Sequence, residues 1–211
     1  MINKIKKYKT LLWQICFLWF FILMFKITIK YIPYNSKLAF LQIKQTEVLG
    51  IKPYLFIFYI HVYSALFCLL AGFTQFNTYI LKKHSTIHKS LGKFYVIVVL
   101  VLASPSGFFI GLFANGGFYS KISFVTLSLL WFYFTLKGFL KIRIGKINSH
   151  RKFMLRSFAL IFSAITLRLW KVILVYLFHP SPMDLYQVIA WLGWVPNLII
   201  IEFYIYKRIT K

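Results

Sequence analysis

His88 and His150 each stand first in a short cationic run, His88-Lys89-Ser90-Leu91-Gly92-Lys93 and His150-Arg151-Lys152-Phe153-Met154. Imidazoles from two different helices can ligate haem iron from both axial sides, and cations such as Lys89 and Arg151 can neutralise the propionates. The pair is therefore a candidate site for a b-type haem, with His88 and His150 as the iron ligands. The same pattern also describes an interfacial anchor, in which polar rings and basic side chains sit among lipid headgroups. His84 can share a helix face with His88, but a zinc site needs a third ligand, and none stands nearby in sequence. His179, beside Pro180, reads as a loop residue.

A second group of polar side chains falls inside long apolar runs. His61 lies seven residues beyond Tyr54, about 10 Å into a helix at the usual rise. Its helical stripe is Ala65, Cys68, Gly72 and Gln75, small and polar as expected of a face turned toward other helices. Arg168 lies fifteen residues beyond Phe153, about 22 Å along its helix and at nearly the depth of His61. Arginine keeps its proton, and no acidic residue stands at that level, so it needs carbonyls, water or an anionic ligand. Lys171 lies one turn further on and can snorkel to the surface. Arg156 and Glu202 sit at similar depths from one end of their runs, which predicts a structural ion pair.

The elements that must position these groups are membrane helices. Six runs are long enough to cross a bilayer: Leu11–Ile29, Tyr54–Ile80, Phe94–Ala114, Ile122–Leu140, Phe153–Phe178 and Leu185–Tyr206. Such runs have no water to satisfy the backbone and must be helical, so the fold class is all-α, an integral membrane bundle. Residues 1–53 read as an N-terminal helix and exposed connection, and residues 54–211 as a five-helix core, together one domain. Lys4, Lys6, Lys7 and Lys9 precede the first run, and no small-x-small cleavage site follows it, so it reads as a retained helix. Basic residues concentrate in alternate connections, which predicts cytoplasmic N- and C-termini. The first connection departs from this trend with Lys30, Lys37, Lys44 and Lys52. Pro105 and Pro196 fall within runs and should kink the third and sixth helices.

Composition bounds the chemistry. The 211 residues are 60% hydrophobic and 14% charged, far from the balance of a soluble domain. Glu47, Asp184 and Glu202 are the only carboxylates, which excludes calcium cages and weighs against paired-carboxylate catalysis. The net charge of +23 lies mostly between the apolar runs, where it serves orientation and contact with anionic lipids rather than nucleic acid. Cys16 and Cys68 stand alone in apolar segments and read as packing residues. No nucleophile elbow, zincin motif, P-loop or dinucleotide-binding glycine pattern occurs.

Several segments in one order resemble a known family. They are His61, Gly72-Phe73-Thr74-Gln75-Phe76, the His88 run through Phe94-Tyr95, Ser104-Pro105-Ser106-Gly107, Leu130-Trp131, His150 through Leu160, and Ile165-Thr166-Leu167-Arg168. Over about Phe58 to Arg168 the chain resembles the uncharacterised bacterial multi-pass membrane proteins catalogued as domain of unknown function 2306. The resemblance implies a multi-helix protein of a bacterial cell membrane and draws attention to His61, His88, His150, Arg156 and Arg168. Lys89 and Lys93 stand where arginine is expected. No activity follows from the resemblance.

Three functions remain open on the residues. The chain is a redox protein holding haem b between His88 and His150, with a quinone or redox partner. Alternatively, it is a non-enzymatic protein that binds a lipid or quinone oxygen at His61 and Arg168, or assists assembly of a membrane complex. A transporter ranks last, because the polar sites cluster at two depths instead of lining a path.

Overall fold

The computed structural model describes residues 15, 18–32, 34–76 and 78–210; Lys4, Lys6, Lys7, Lys9, Cys16 and Lys211 fall outside the described residues. Every regular element among them is helical. Helix α1 is described over Leu18–Ile29. A 3-10 segment, Ala39–Lys44, and the short α2, Gln45–Gly50, then lead into α3, Tyr54–Gln75. After α4 (Thr78–Lys83) come α5 (Ser85–Val98), a π segment over Val99–Ala103 and α6 (Ser104–Leu112), followed by α7 (Gly117–Arg143). Two broken helices follow, α8 (Ile147–Ile161) with α9 (Ser163–Phe178) and α10 (Pro182–Leu192) with α11 (Val195–Ile205), and a π segment, Tyr206–Thr210, continues the last.

Five helical segments among the described residues are long and apolar enough to cross a membrane: Tyr54–Ala71, Ser85–Leu112, Gly117–Arg143, Ile147–Phe178 and Pro182–Ile209. Their outward faces are apolar, with Phe56, Phe94, Val172, Phe178, Ile200 and Phe203 all exposed. The polarity runs inward, as a lipid solvent requires. Ser120, Ser123, Ser128, Thr135 and Gly138 are buried on α7, which packs against α6, α8 and α10. Small side chains let these helices approach closely: a Cβ on Gly111 would stand 3.3 Å from the Phe124 carbonyl carbon.

The two expected kinks take different forms, and both follow from the missing proline N–H. Pro105 cannot bond the carbonyl four residues back, that of Val101, and the ladder there widens into the π segment while the helix continues. Pro196 likewise leaves Leu192 without that bond, but here the helix stops at Leu192 and restarts at Val195. The fifth crossing also breaks, at Phe162, without a proline. Asn197 ties the two breaks together, its amide donating to the Ala159 carbonyl at 3.3 Å, the Gly193 carbonyl at 3.1 Å and Thr166 Oγ1 at 3.0 Å.

The first connection folds back onto the bundle. Leu41, Tyr54, Phe58 and Tyr59 form one buried cluster with Tyr31, against which Phe109 and Phe113 of the α6 end pack. Lys44 is 2% exposed and bonds Glu47 at 2.6 Å, and its ammonium also donates to the Phe113 carbonyl at the α6 C-terminus. A cation there complements the negative end of the helix dipole. Lys44 is thus a structural charge, which accounts for part of the excess of lysine in this connection.

Burial alone would raise the Glu47 carboxyl, but its bond to Lys44 and the neighbouring positive charge hold it below its ordinary 4.5. The contribution of this pair to stability is therefore full above pH 4.5 and is lost as pH falls through the lowered value. Lys44→Met, which keeps the aliphatic stem, should destabilise the fold by about 1–3 kcal/mol near neutral pH. That difference from the parent should shrink in acid. Melting curves of both proteins in detergent across pH test this; a difference that persists unchanged at low pH would exclude the pair as its source.

Candidate functional site

His61 on α3 points its Nδ1 at the Ala103 carbonyl, 3.0 Å away at the end of the π segment. A carbonyl only accepts, so Nδ1 carries the proton and Nε2 is left as a lone-pair acceptor. The Ser104-Pro105-Ser106-Gly107 segment builds the seat for this ring. Ser106 Oγ lies 3.4 Å from Nδ1. A Cβ on Gly107 would stand 2.9 Å from His61 Cε1 and 3.1 Å from Ser128 Oγ, so only glycine admits the imidazole here. Nε2 has no hydrogen-bond partner among the described residues.

Arg168 on α9 lies within electrostatic reach of His61, Tyr31 and Tyr186. One guanidinium nitrogen donates to the Ala164 carbonyl one turn back. No carboxylate pairs with it among the described residues, where the two ion pairs are Lys44–Glu47 and Arg156–Glu202. The flanking phenols are donors. Tyr31 Oη accepts from the Phe40 amide at 3.3 Å, leaving its own hydrogen available. Burial raises the Tyr31 phenol, while the Phe40 amide and the Arg168 charge draw it back. Tyr186 has no hydrogen bond from its hydroxyl among the described residues and packs its ring edge-on to Phe124 at 6.5 Å.

The histidines at the opposite end, His88 and His150, also lie within electrostatic reach of each other. His150 Nδ1 donates to the Gly138 carbonyl at 2.8 Å, which leaves its Nε2 as the lone-pair nitrogen. His88 Nδ1 is buried and has no partner among the described residues. This pair of imidazoles is the donor set that axial ligation of a haem would use. The two glycines beside it are covered by flexible side-chain ends: a Cβ on Gly92 would meet Gln75 Oε1 at 3.0 Å, and one on Gly138 would meet Met154 Sδ at 2.7 Å. Lys89 and Arg151 are exposed at this end.

The remaining sequence candidates distribute between the two ends. Gln75 does not join His61, although they share a helical stripe. Fourteen residues apart, they are separated by about 21 Å along α3, and Gln75 Nε2 instead donates to the His88 carbonyl at 3.2 Å. Arg156 and Glu202 form a bidentate pair, with Nη2 to Oε2 at 2.8 Å, and the guanidinium stacks over Phe153 at 5.3 Å. His84 packs on Tyr79 at 5.7 Å, and His179 ends α9 in the left-handed region at φ 47°. No group of three or more metal-ligating side chains gathers among the described residues.

Tyr31 and Tyr186 escaped the sequence reading. Tyrosines near helix ends resemble an interfacial belt, and nothing local marks these two as lying within electrostatic reach of an intramembrane cation. A buried circuit escaped it too. Trp131 Nε1 donates to Tyr95 Oη at 3.2 Å, Tyr95 to Ser157 Oγ at 2.7 Å, Ser157 to Thr135 Oγ1 at 2.7 Å, and Thr135 to the Trp131 carbonyl at 2.7 Å.

No curated protein matches the chain, and no solved structure matches it. A family profile described as a predicted membrane protein, DUF2306, matches residues 58–205, which extends the likeness past Arg168 through the broken sixth crossing. With that match over most of its length, the chain belongs to the DUF2306 family of membrane proteins.

Proposed function

We propose that this multi-pass membrane protein binds the anionic headgroup of a membrane-resident amphiphile at Arg168, with His61, Tyr31 and Tyr186 completing the site. The observation that carries the reading is a permanent cation within a membrane-spanning helix whose one hydrogen bond among the described residues goes to the Ala164 carbonyl of its own helix. An arginine there needs an anion more than a structural role explains, and its planar fork suits phosphate or carboxylate oxygens. A neutral quinone oxygen fits the hydrogen bonds but leaves the charge uncompensated.

Binding of a fluorescent anionic lipid by the detergent-purified protein tests this. Arg168→Leu should weaken binding by about tenfold or more, equal to about 1.4 kcal/mol, while Arg168→Lys should retain part of it. Unchanged binding by a leucine variant that melts like the parent would exclude the site. Displacement of the lipid by a neutral quinone would reassign the ligand.

A second reading is favoured by one observation, that His88 and His150, on two helices, lie within electrostatic reach of each other. Haem b held between them would supply one-electron redox chemistry, with Lys89 and Arg151 near the propionates. Gln75 and Met154 would have to swing aside to admit the macrocycle. A reduced-minus-oxidised spectrum with a pyridine haemochrome assay decides it. A b-type signal lost in His150→Ala would establish the cofactor, and a colourless protein expressed with ample haem would remove it.

A further inference from the structure

We infer that a groove between α3 and the third crossing seats one acyl chain of an anionic phospholipid, whose headgroup lies among Lys30, Lys37 and Lys52. The groove holds about 550 Å³, within the ~300–1,000 Å³ usual for ligand sites. Tyr59, Ser64 and Val98, all buried, make its floor, and the exposed rings of Phe56, Phe67 and Phe94 stand along its sides. Phe56 and Phe67 are eleven residues apart on α3. The groove therefore runs for about 16 Å along a membrane-spanning helix, the direction in which an acyl chain lies.

The polar atoms along it are already spent. The Tyr59 hydroxyl accepts from the Asn35 amide at 2.9 Å and donates to the Asn35 carbonyl at 3.1 Å. The Tyr63 hydroxyl donates to the Tyr31 carbonyl at 3.0 Å, and Ser64 Oγ to the His61 carbonyl at 3.2 Å. A polar ligand would be desolvated here without gaining partners from these side chains, whereas hydrocarbon loses nothing. A second helix fits less well, because close helix packing in lipid uses small residues, and here phenyl rings stand on both sides. A slender chain can lie between them.

The charge stands at one end. Tyr34 lines the groove, and the backbone just after it carries Lys37, whose amide bonds Asn35 Oδ1 at 2.8 Å. Lys30 precedes Tyr31, which takes the Tyr63 hydrogen bond, and Lys52 lies four residues before Phe56. All three lysines are exposed, and none has an ion-pair partner among the described residues. Glu47, the carboxylate of this connection, is held by Lys44. Lysines clustered beside a membrane attract anionic headgroups, and this role accounts for the rest of the lysine excess in the first connection.

The experiment uses phosphatidylglycerol and phosphatidylcholine, each with a photoreactive diazirine midway along one acyl chain, added to the detergent-purified full chain. Labelled peptides are read by mass spectrometry after irradiation. Phosphatidylglycerol should label the groove residues about tenfold more than phosphatidylcholine at low salt, and the preference should shrink at high salt. Lys30→Gln, Lys37→Gln and Lys52→Gln combined should bring the two lipids within about twofold. Ile60→Trp, which fills the groove from its wall, should cut labelling by both lipids about tenfold.

Equal labelling by the two lipids in the parent protein overturns the inference without any variant, as does labelling spread evenly over the exposed helix faces. A dimer in detergent that Ile60→Trp splits would assign the groove to a second copy instead. Arg168→Leu should leave groove labelling unaltered. Loss of labelling in that variant would merge the groove with the Arg168 site and overturn the inference of a separate one.

Discussion

Ser157→Ala is expected to destabilise the bundle by about 1–3 kcal/mol, a large effect for the loss of one oxygen atom. Ser157 and Thr135 are fully buried, and Tyr95 is 2% exposed. Each hydroxyl in their circuit donates once and accepts once, beginning at the Trp131 indole and ending at the Trp131 carbonyl. Removing Ser157 Oγ strands the Tyr95 hydroxyl with no acceptor and Thr135 Oγ1 with no donor, in a region no water reaches. The same circuit joins α5, α7 and α8, so its loss should loosen three helices together. Tyr95→Phe breaks it at another point and strands the Trp131 N–H. A double-mutant cycle on the two sites, read by thermal melting in detergent, should show strong coupling, with the pair costing less than the sum of the singles. Additive effects, or an alanine variant that melts with the parent, would dismiss the circuit as a stabilising unit.

Gly107→Val should both destabilise the protein, by about 1–3 kcal/mol, and impair headgroup binding, although Gly107 makes no contact with Arg168. The added Cβ overlaps the His61 ring, which is held from the other side by the Ala103 carbonyl. The ring must leave its seat, which alters the surroundings of the proposed headgroup site, because Arg168 lies within electrostatic reach of His61. Gly50→Ala is the matched control, because nothing lies within 4 Å of its Cβ position. It should change stability by less than about 0.5 kcal/mol and leave binding alone. If Gly107→Val binds the lipid as the parent does, the seat has no bearing on the site.

The membrane bundle was legible in the sequence because hydropathy reports it directly. Runs such as Tyr54–Ile80 and Phe153–Phe178 have no other stable form in lipid. Their ends were less legible: α3 stops at Gln75, and the chain restarts as α4, within what reads as one apolar run. Arg168 stood out for the same reason as the helices, being a charge where the pattern forbids one. Its neighbours did not stand out. His61 takes a backbone carbonyl as its partner, and carbonyls have no signature in a sequence. The π segment that brings Ala103 into reach has the same residue types as the α-helix around it, so periodicity is silent there. The polar residues of α7 were not singled out in the sequence, because their hydrogen bonds depend on other helices arriving in register.

That π segment has a consequence for how the third crossing is phased. A π turn holds more residues than an α turn, and one added residue rotates everything beyond it by about 100° about the helix axis. Tyr95, before the segment, faces Ser157 on α8, while Gly107, after it, faces His61 on α3. The crossing therefore behaves as two helices of different phase on one axis, and the five residues Val99–Ala103 act as the gear between them. Deleting a single residue there would leave length and hydropathy almost unaltered, yet it would swing the His61 seat away while the Tyr95 circuit stayed in place. Spacing within this crossing, more than the identity of its side chains, is what keeps its two ends in mesh.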